Sequence, residues 1–283
     1  MIRVRYYPAV GYQECDGLFL PAEKDPYPAM RKAAFGANAA LNLLYPPRCP
    51  FCGKPSGGDV LCKSCRTESK TFERNPRRLH TGLHYISNLS GAAAVYPYYS
   101  PAGDAILQAK YAGAAWHGPR LGLLMAEKLF GCTILRRCGI LYPAPLSAAT
   151  PAYDLVVPVP PSNRRRGYNL PTLLAQPLCE GLGLPLVTGL LQRRRGSQPQ
   201  AGLGYADRMV NAAGAFYTVP EASEWVEGKS LLLVDDVITT GATVAACTHA
   251  LLAAGAESVF AVALCVSERK AGCYSGILRP KQN

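Results

Sequence analysis

Leu231, Leu232, Leu233 and Val234 follow the polar Lys229 and Ser230 and run directly into Asp235 and Asp236. An unbroken apolar run of this kind predicts a strand buried on both faces. Beyond a polar loop, apolar residues return with helical spacing at Val244, Cys247, Leu251 and Leu252. Gly255 stops that helix, and residues 259–266 form a second apolar run. Strand, helix and strand make one βαβ unit, with a loop at the carboxyl end of its first strand. Open α/β sheets bind ligands at that end.

The same patterning extends upstream. Residues 155–159 predict a buried strand, 160–167 a loop and 168–182 a helix, with further strands at 186–190 and 215–219. Residues 96–128 predict one strand and two helices, with amphipathic stretches at 105–111 and 121–130. Other segments lack a period. Residues 1–32 read as a poorly ordered extension, and 33–44 as a short amphipathic helix stopped by Pro46 and Pro47. Residues 66–90, polar and basic, read as a linker, and 131–153 as a loop or insertion. The stretch 193–211, holding Gln198, Gln200, Gly202, Gly204, Arg208 and Asn211, has the length and polarity of an active-site lid.

Four cysteines add a second module. Cys49 and Cys52 form one Cys-x2-Cys pair, and Cys62 and Cys65 form another after nine intervening residues. Two such knuckles suit tetrahedral Zn2+, each presenting two thiolates at about 2.3 Å. Gly53 allows the tight turn after the first pair. Four protein ligands close the coordination sphere, so the zinc expected here is structural. The segment is too small for a core of its own, and metal binding would supply much of its folding free energy.

The residue types after the 231–234 run fit a phosphorylated sugar. Thr239, Thr240, Gly241, Ala242 and Thr243 would present N–H groups and hydroxyls at a helix N-terminus, the positive end of its dipole. Gly241 lets the backbone approach a ligand closely. Ionised Asp235 and Asp236 accept hydrogen bonds only, which suits sugar hydroxyls or a hydrated Mg2+. Between residues 160 and 210 seven arginines (164, 165, 166, 193, 194, 195, 208) face only Glu180 and Asp207, a basic cluster in two loops beside a candidate pyrophosphate site. Lys110 and Tyr111 are assigned to packing and a solvated charge, and Trp116 and His117 to a turn.

Composition sets the bounds. The 283 residues accommodate one full α/β domain and a small accessory module, and 49% hydrophobic content is ordinary for a globular core. No apolar run approaches the roughly 18 residues of a membrane span, and the N-terminal stretch has charges but no apolar signal core. Eleven cysteines without a disulfide framework point to a reducing, cytoplasmic setting. Thirty basic against nineteen acidic residues give +11, which permits phosphate-bearing partners, nucleic acid included, without requiring them.

The string from Val234 through Asp235, Asp236 and the Thr/Gly loop to Thr243 resembles the phosphoribosyl-pyrophosphate (PRPP) motif of type I phosphoribosyltransferases. The order of the four-Cys module, a Leu107-Gln-Ala-Lys-Tyr111 segment, Arg166-Gly-Tyr-Asn169 and the PRPP motif is similar to the ComF family from about residue 43 to 266. The resemblance implies a doubly wound, mostly parallel α/β sheet with a hood, the type I phosphoribosyltransferase fold, preceded by the zinc module. It places the helix and zinc module at 33–70 and the transferase domain at 90–283. It implies PRPP as ligand with Mg2+, the ribose hydroxyls on Asp235 and Asp236 and the 5′-phosphate on residues 239–243. Ser162 to Gly167, with Arg166, would form the pyrophosphate loop, and 198–208 the lid. Arg164, Arg165 or Arg208 would stabilise the leaving pyrophosphate. A link to natural competence, with single-stranded DNA and competence proteins as partners, and a homodimer are further implications. The family usually has Gln where Leu170 stands, which puts one polar contact in question. The acceptor is not legible, so transfer, sensing without turnover and single-stranded-DNA handling all remain open.

Overall fold

A computed structural model describes residues 2–5, 47–80, 84, 86, 88–137, 140–146, 152–161, 166–194 and 214–267. The chain opens on strand β1 (Arg3–Arg5). This strand gives regular structure to the start of the extension expected to be poorly ordered; residues 6–32, and the helix expected at 33–44, lie outside the described residues. Helix α1 (Lys63–Phe72) replaces the first part of the expected linker. Strand β2 (Gly91–Pro97) leads to helices α2 (Pro101–Tyr111) and α3 (His117–Phe130), the strand and two helices predicted for this stretch. The supposed insertion at 131–153 is in part a hairpin, β3 (Ile134–Arg137) against β4 (Ile140–Pro143).

Strand β5 (Leu155–Pro158) precedes helix α4 (Leu170–Leu182) and strand β6 (Leu186–Thr188). A second hairpin joins β7 (Leu191–Arg193) to β8 (Phe216–Thr218), so Arg193 ends a strand where a loop was expected. The predicted βαβ unit follows as β9 (Ser230–Ile238), α5 (Ala242–Ala253) and β10 (Ser258–Val266). Gly255, at φ 101°, ends the helix as its position predicts.

Six strands form one sheet in the order β1-β6-β5-β9-β10-β2. All neighbours are parallel except the edge strand β1, which pairs antiparallel with β6. The apolar run of β9 divides its side chains between two cores. Leu232 and Val234 pack with α2, α3 and α4 on one face, and Leu231 and Leu233 pack with Val244, Cys247 and Leu251 of α5 on the other. Burial on both faces explains why the run is unbroken.

The connections place the ligand end. From β5 the chain crosses through α4 to β6, and from the adjacent β9 it crosses through α5 to β10, on the opposite side. Neighbouring strands whose connections diverge leave a crevice beyond their carboxyl ends. Val159, after β5, and Thr239, after β9, both open onto it.

Candidate functional site

An open cavity of about 280 Å³ occupies this crevice. Its floor is the end of β9, where Asp235 and Asp236 are 8% and 5% exposed. Being adjacent on a strand, they meet different neighbours. Asp235 Oδ1 accepts the Asp236 backbone N–H at 2.8 Å. Asp236 Oδ1 accepts from Lys110 Nζ at 2.7 Å, an ion pair whose side chains are 22% and 8% exposed. Burial, then the charge of Asp236, pushes the Asp235 carboxyl up to about 7, against the pull of Lys110. Burial opposes the Lys110 charge, but Asp236 outweighs it and the lysine pKa is raised.

Lys110 therefore does more than carry a solvated charge; it lines the cavity and holds one member of the acidic pair. The sequence offers no signal for this, because the partner lies 126 residues away. Tyr111, next in the chain, is exposed. Arg193 and Tyr98 also line the cavity, and sequence reasoning gave neither a role of its own.

The loop after β9 turns through Gly241 at φ 86°, a conformation that other residues adopt at a cost of about 1–2 kcal/mol. The five loop residues then divide the work. Thr239 and Thr243 are exposed and line the cavity. Thr240 is buried, and its hydroxyl accepts the Ala242 N–H at 3.3 Å. Buried His84 braces the loop, its Nδ1 lying 3.0 Å from the Thr239 carbonyl, which can only accept.

Val159, Pro160 and Pro161 form the facing wall with Arg166. The Arg166 guanidinium lies 5.4 Å from the Tyr111 ring and 5.8 Å from the Tyr168 ring. Tyr168 donates to the Ala109 carbonyl of α2, and Asn169 Nδ2 donates to the Val159 carbonyl at 2.8 Å, so this wall is tied to its neighbours. Leu170 is fully buried beside Gly118 of α3, a core position and not a cavity one. Ser162, Arg164, Arg165 and Arg208, also expected at the site, lie outside the described residues.

The four-Cys module packs on the face opposite α5. Sγ atoms of Cys49, Cys52, Cys62 and Cys65 all lie within 4.8 Å of one another. Gly53 has φ 71° and donates its N–H to the Cys49 carbonyl at 2.9 Å, the turn its position predicts. Cys62 caps α1 and Cys65 lies in its first turn, where the helix dipole favours thiolates. The Cys62 thiol is lowered to about 6, first by the Ser64 hydroxyl, whereas burial raises that of Cys65. Four thiolates so close need a dication among them, and an all-sulfur tetrahedral set fits Zn2+. All eight cysteines among the described residues are free of disulfides.

The module is joined to the larger domain by Arg120 of α3. Its guanidinium donates to Ser56 Oγ at 2.9 Å, to the Val60 carbonyl at 3.1 Å and to the Asp59 carbonyl. Phe51 meets Tyr96 of β2 edge-on at 6.0 Å. No helix among the described residues is long and apolar enough to cross a membrane.

Comparison with known proteins agrees with this two-part organisation. A double zinc ribbon domain model matches residues 40–77, and a phosphoribosyl transferase domain model matches 165–275. The DNA utilization protein YhgH of Escherichia coli (strain K12) is 30% identical over 223 residues, 77% of this chain and 83% of that protein. Competence protein F of Haemophilus influenzae is 34% identical over 109 residues, covering 38% and 47% of the two chains. Competence protein ComFC of Bacillus subtilis is 26% identical over 228 residues, 79% of each. With its zinc ribbon, its mostly parallel sheet and its phosphoribosyltransferase domain, the chain belongs to the ComF family.

Proposed function

We propose that this chain binds PRPP with Mg2+ and transfers the phosphoribosyl group to a nucleophilic acceptor, in a process serving DNA uptake or use. One observation carries the reading: the buried Asp235–Asp236 pair and the Thr239–Thr243 helix start open onto one cavity at the switch point of the sheet. The carboxylates would accept from the ribose hydroxyls, and the exposed Thr239 and Thr243 would hold the 5′-phosphate. Arg166, which lines the cavity beside Tyr111 and Tyr168, would contact the pyrophosphate, with Arg164, Arg165 and Arg208 as further donors. The nucleophile bonds to ribose C1 as the C1–O bond breaks, and pyrophosphate departs with the electron pair. Two carboxylates at the cavity suit a hard, oxygen-seeking cation, and Mg2+, when bound, would neutralise charge on the leaving pyrophosphate.

Calorimetric titration of PRPP with Mg2+ tests the binding. Micromolar affinity that is lost in Asp235→Asn/Asp236→Asn supports the reading; a folded wild-type protein that takes up no PRPP removes it. Release of pyrophosphate only when an acceptor is supplied separates transfer from sensing without turnover. The names of the relatives and the +11 charge favour a second reading, direct handling of single-stranded DNA. That reading requires binding that weakens steeply with salt. Assembly as a homodimer is part of the proposal and is read by sedimentation.

A further inference from the structure

The cavity poses an electrostatic difficulty. Two buried carboxylates form its floor, yet the proposed ligand is a polyanion. In a site shielded from water, like charges brought close together repel strongly. Arg166 and Arg193 line the cavity as well, but their guanidinium groups lie over the Tyr111 and Phe216 rings. Lys110 is the cavity cation whose hydrogen bond to the acidic pair is seen directly, at 2.7 Å.

Its helix is firmly seated. A Cβ at Gly103 would lie 1.9 Å from the Tyr98 carbonyl oxygen, so α2 approaches the end of β2 more closely than another residue would permit. Tyr168 holds the far end of α2 through the Ala109 carbonyl, next to Lys110. The ammonium thus reaches Asp236 from a wall braced at both ends, and neither side chain is more than 22% exposed, which limits screening by solvent.

We propose that Lys110 is a positioning residue of this site: its ammonium orients the Asp236 carboxylate and offsets that carboxylate's charge, so that an anionic phosphoribosyl ligand is admitted beside it. The inference rests on the PRPP reading given above. It assigns Lys110 no contact with the reacting atoms, because its effect passes through Asp236. A lysine that merely ties α2 to β9 would have the same geometry, and the two roles differ in what removing the lysine does when Asp236 carries no charge.

A double-mutant cycle read by titration of PRPP with Mg2+ separates them. Wild type, Lys110→Met, Asp236→Asn and the double variant are compared, each shown by a melting curve to be folded. Lys110→Met is expected to weaken PRPP binding at least about tenfold in the wild-type background and less than about threefold in the Asp236→Asn background. Lys110→Arg, which keeps the charge, recovers most of the loss. If Lys110→Met fails to fold, Lys110→Gln takes its place in the cycle and the Arg variant gives the charge comparison. An equal loss in both backgrounds, or Lys110→Met affinity close to that of wild type, overturns the inference and leaves the PRPP reading standing. Absence of PRPP binding by the folded wild type overturns both.

Discussion

Replacing Asp235 by Asn should stabilise the ligand-free protein, and more so at alkaline pH. The Asp235 carboxyl titrates at 3.8 when unperturbed and is pushed up to about 7 in the fold, first by burial and then by Asp236. Between those values the folded protein retains a proton that the unfolded chain releases. This group's contribution to stability is therefore complete below pH 3.8 and declines as pH rises through 7. A gap of about three pH units corresponds to a full loss of about 4 kcal/mol, of which about half has accrued by pH 5.5. Asparagine is close in shape, carries no charge and keeps an oxygen to accept the Asp236 N–H. The stabilisation by Asp235→Asn should thus be about 2 kcal/mol greater at pH 8 than at pH 5.5. Urea unfolding in Mg2+-free buffer, followed by tryptophan fluorescence with wild type as reference at each pH, measures the difference. Referring each pair to the same pH cancels the pH dependence of zinc binding. Equal stabilisation at both pH values, or a larger one at pH 5.5, would refute the assignment of a burial-raised carboxyl. The variant should lose PRPP affinity as it gains stability, the exchange expected where a site stores unfavourable charge.

Two further outcomes follow from the packing and the metal. Cys49→Ser should abolish stoichiometric zinc and lower the melting temperature, as read by metal analysis and a thermal scan; full retention of zinc would contradict the four-thiolate site. Gly122→Ala should cost about 2 kcal/mol, because its Cβ would lie 2.4 Å from the Leu174 carbonyl oxygen where α3 crosses α4, and an unchanged urea midpoint would show that the helices yield easily.

What could be read from the sequence depended on how local its cause was. The run Leu231 to Val234 declares a doubly buried strand because every residue in it faces a core. The cysteine pairs declare a metal because the chemistry repeats within a short stretch. The part of α1 beyond residue 65 reads as linker because only Cys65 and Ser69 are buried along the helix, so it carries no apolar stripe. The β3–β4 hairpin was missed because its strands are four residues each and partly exposed, and Arg136 and Arg137 dilute the alternation. Of the loop after β9, Thr239, Gly241 and Thr243 are legible as residue types, whereas the bond from the Ala242 N–H to the Thr240 hydroxyl belongs to the fold. Lys110 and His84 reach the site from 126 and 155 residues away, and no local pattern announces them.

The contacts of Arg120 bear on the order in which the molecule can be completed. The ribbon carbonyls of Asp59 and Val60 receive their donors from a residue made some sixty positions later. During synthesis the cysteines can collect their metal first, but the loop between the two pairs waits for α3 before its acceptors are satisfied. Conversely, α3 without the ribbon would lose the Ser56, Asp59 and Val60 acceptors of its guanidinium and expose that face to water. The ribbon is therefore completed only together with α3 and is no detachable tag, and a shortage of zinc during translation would be felt at that helix.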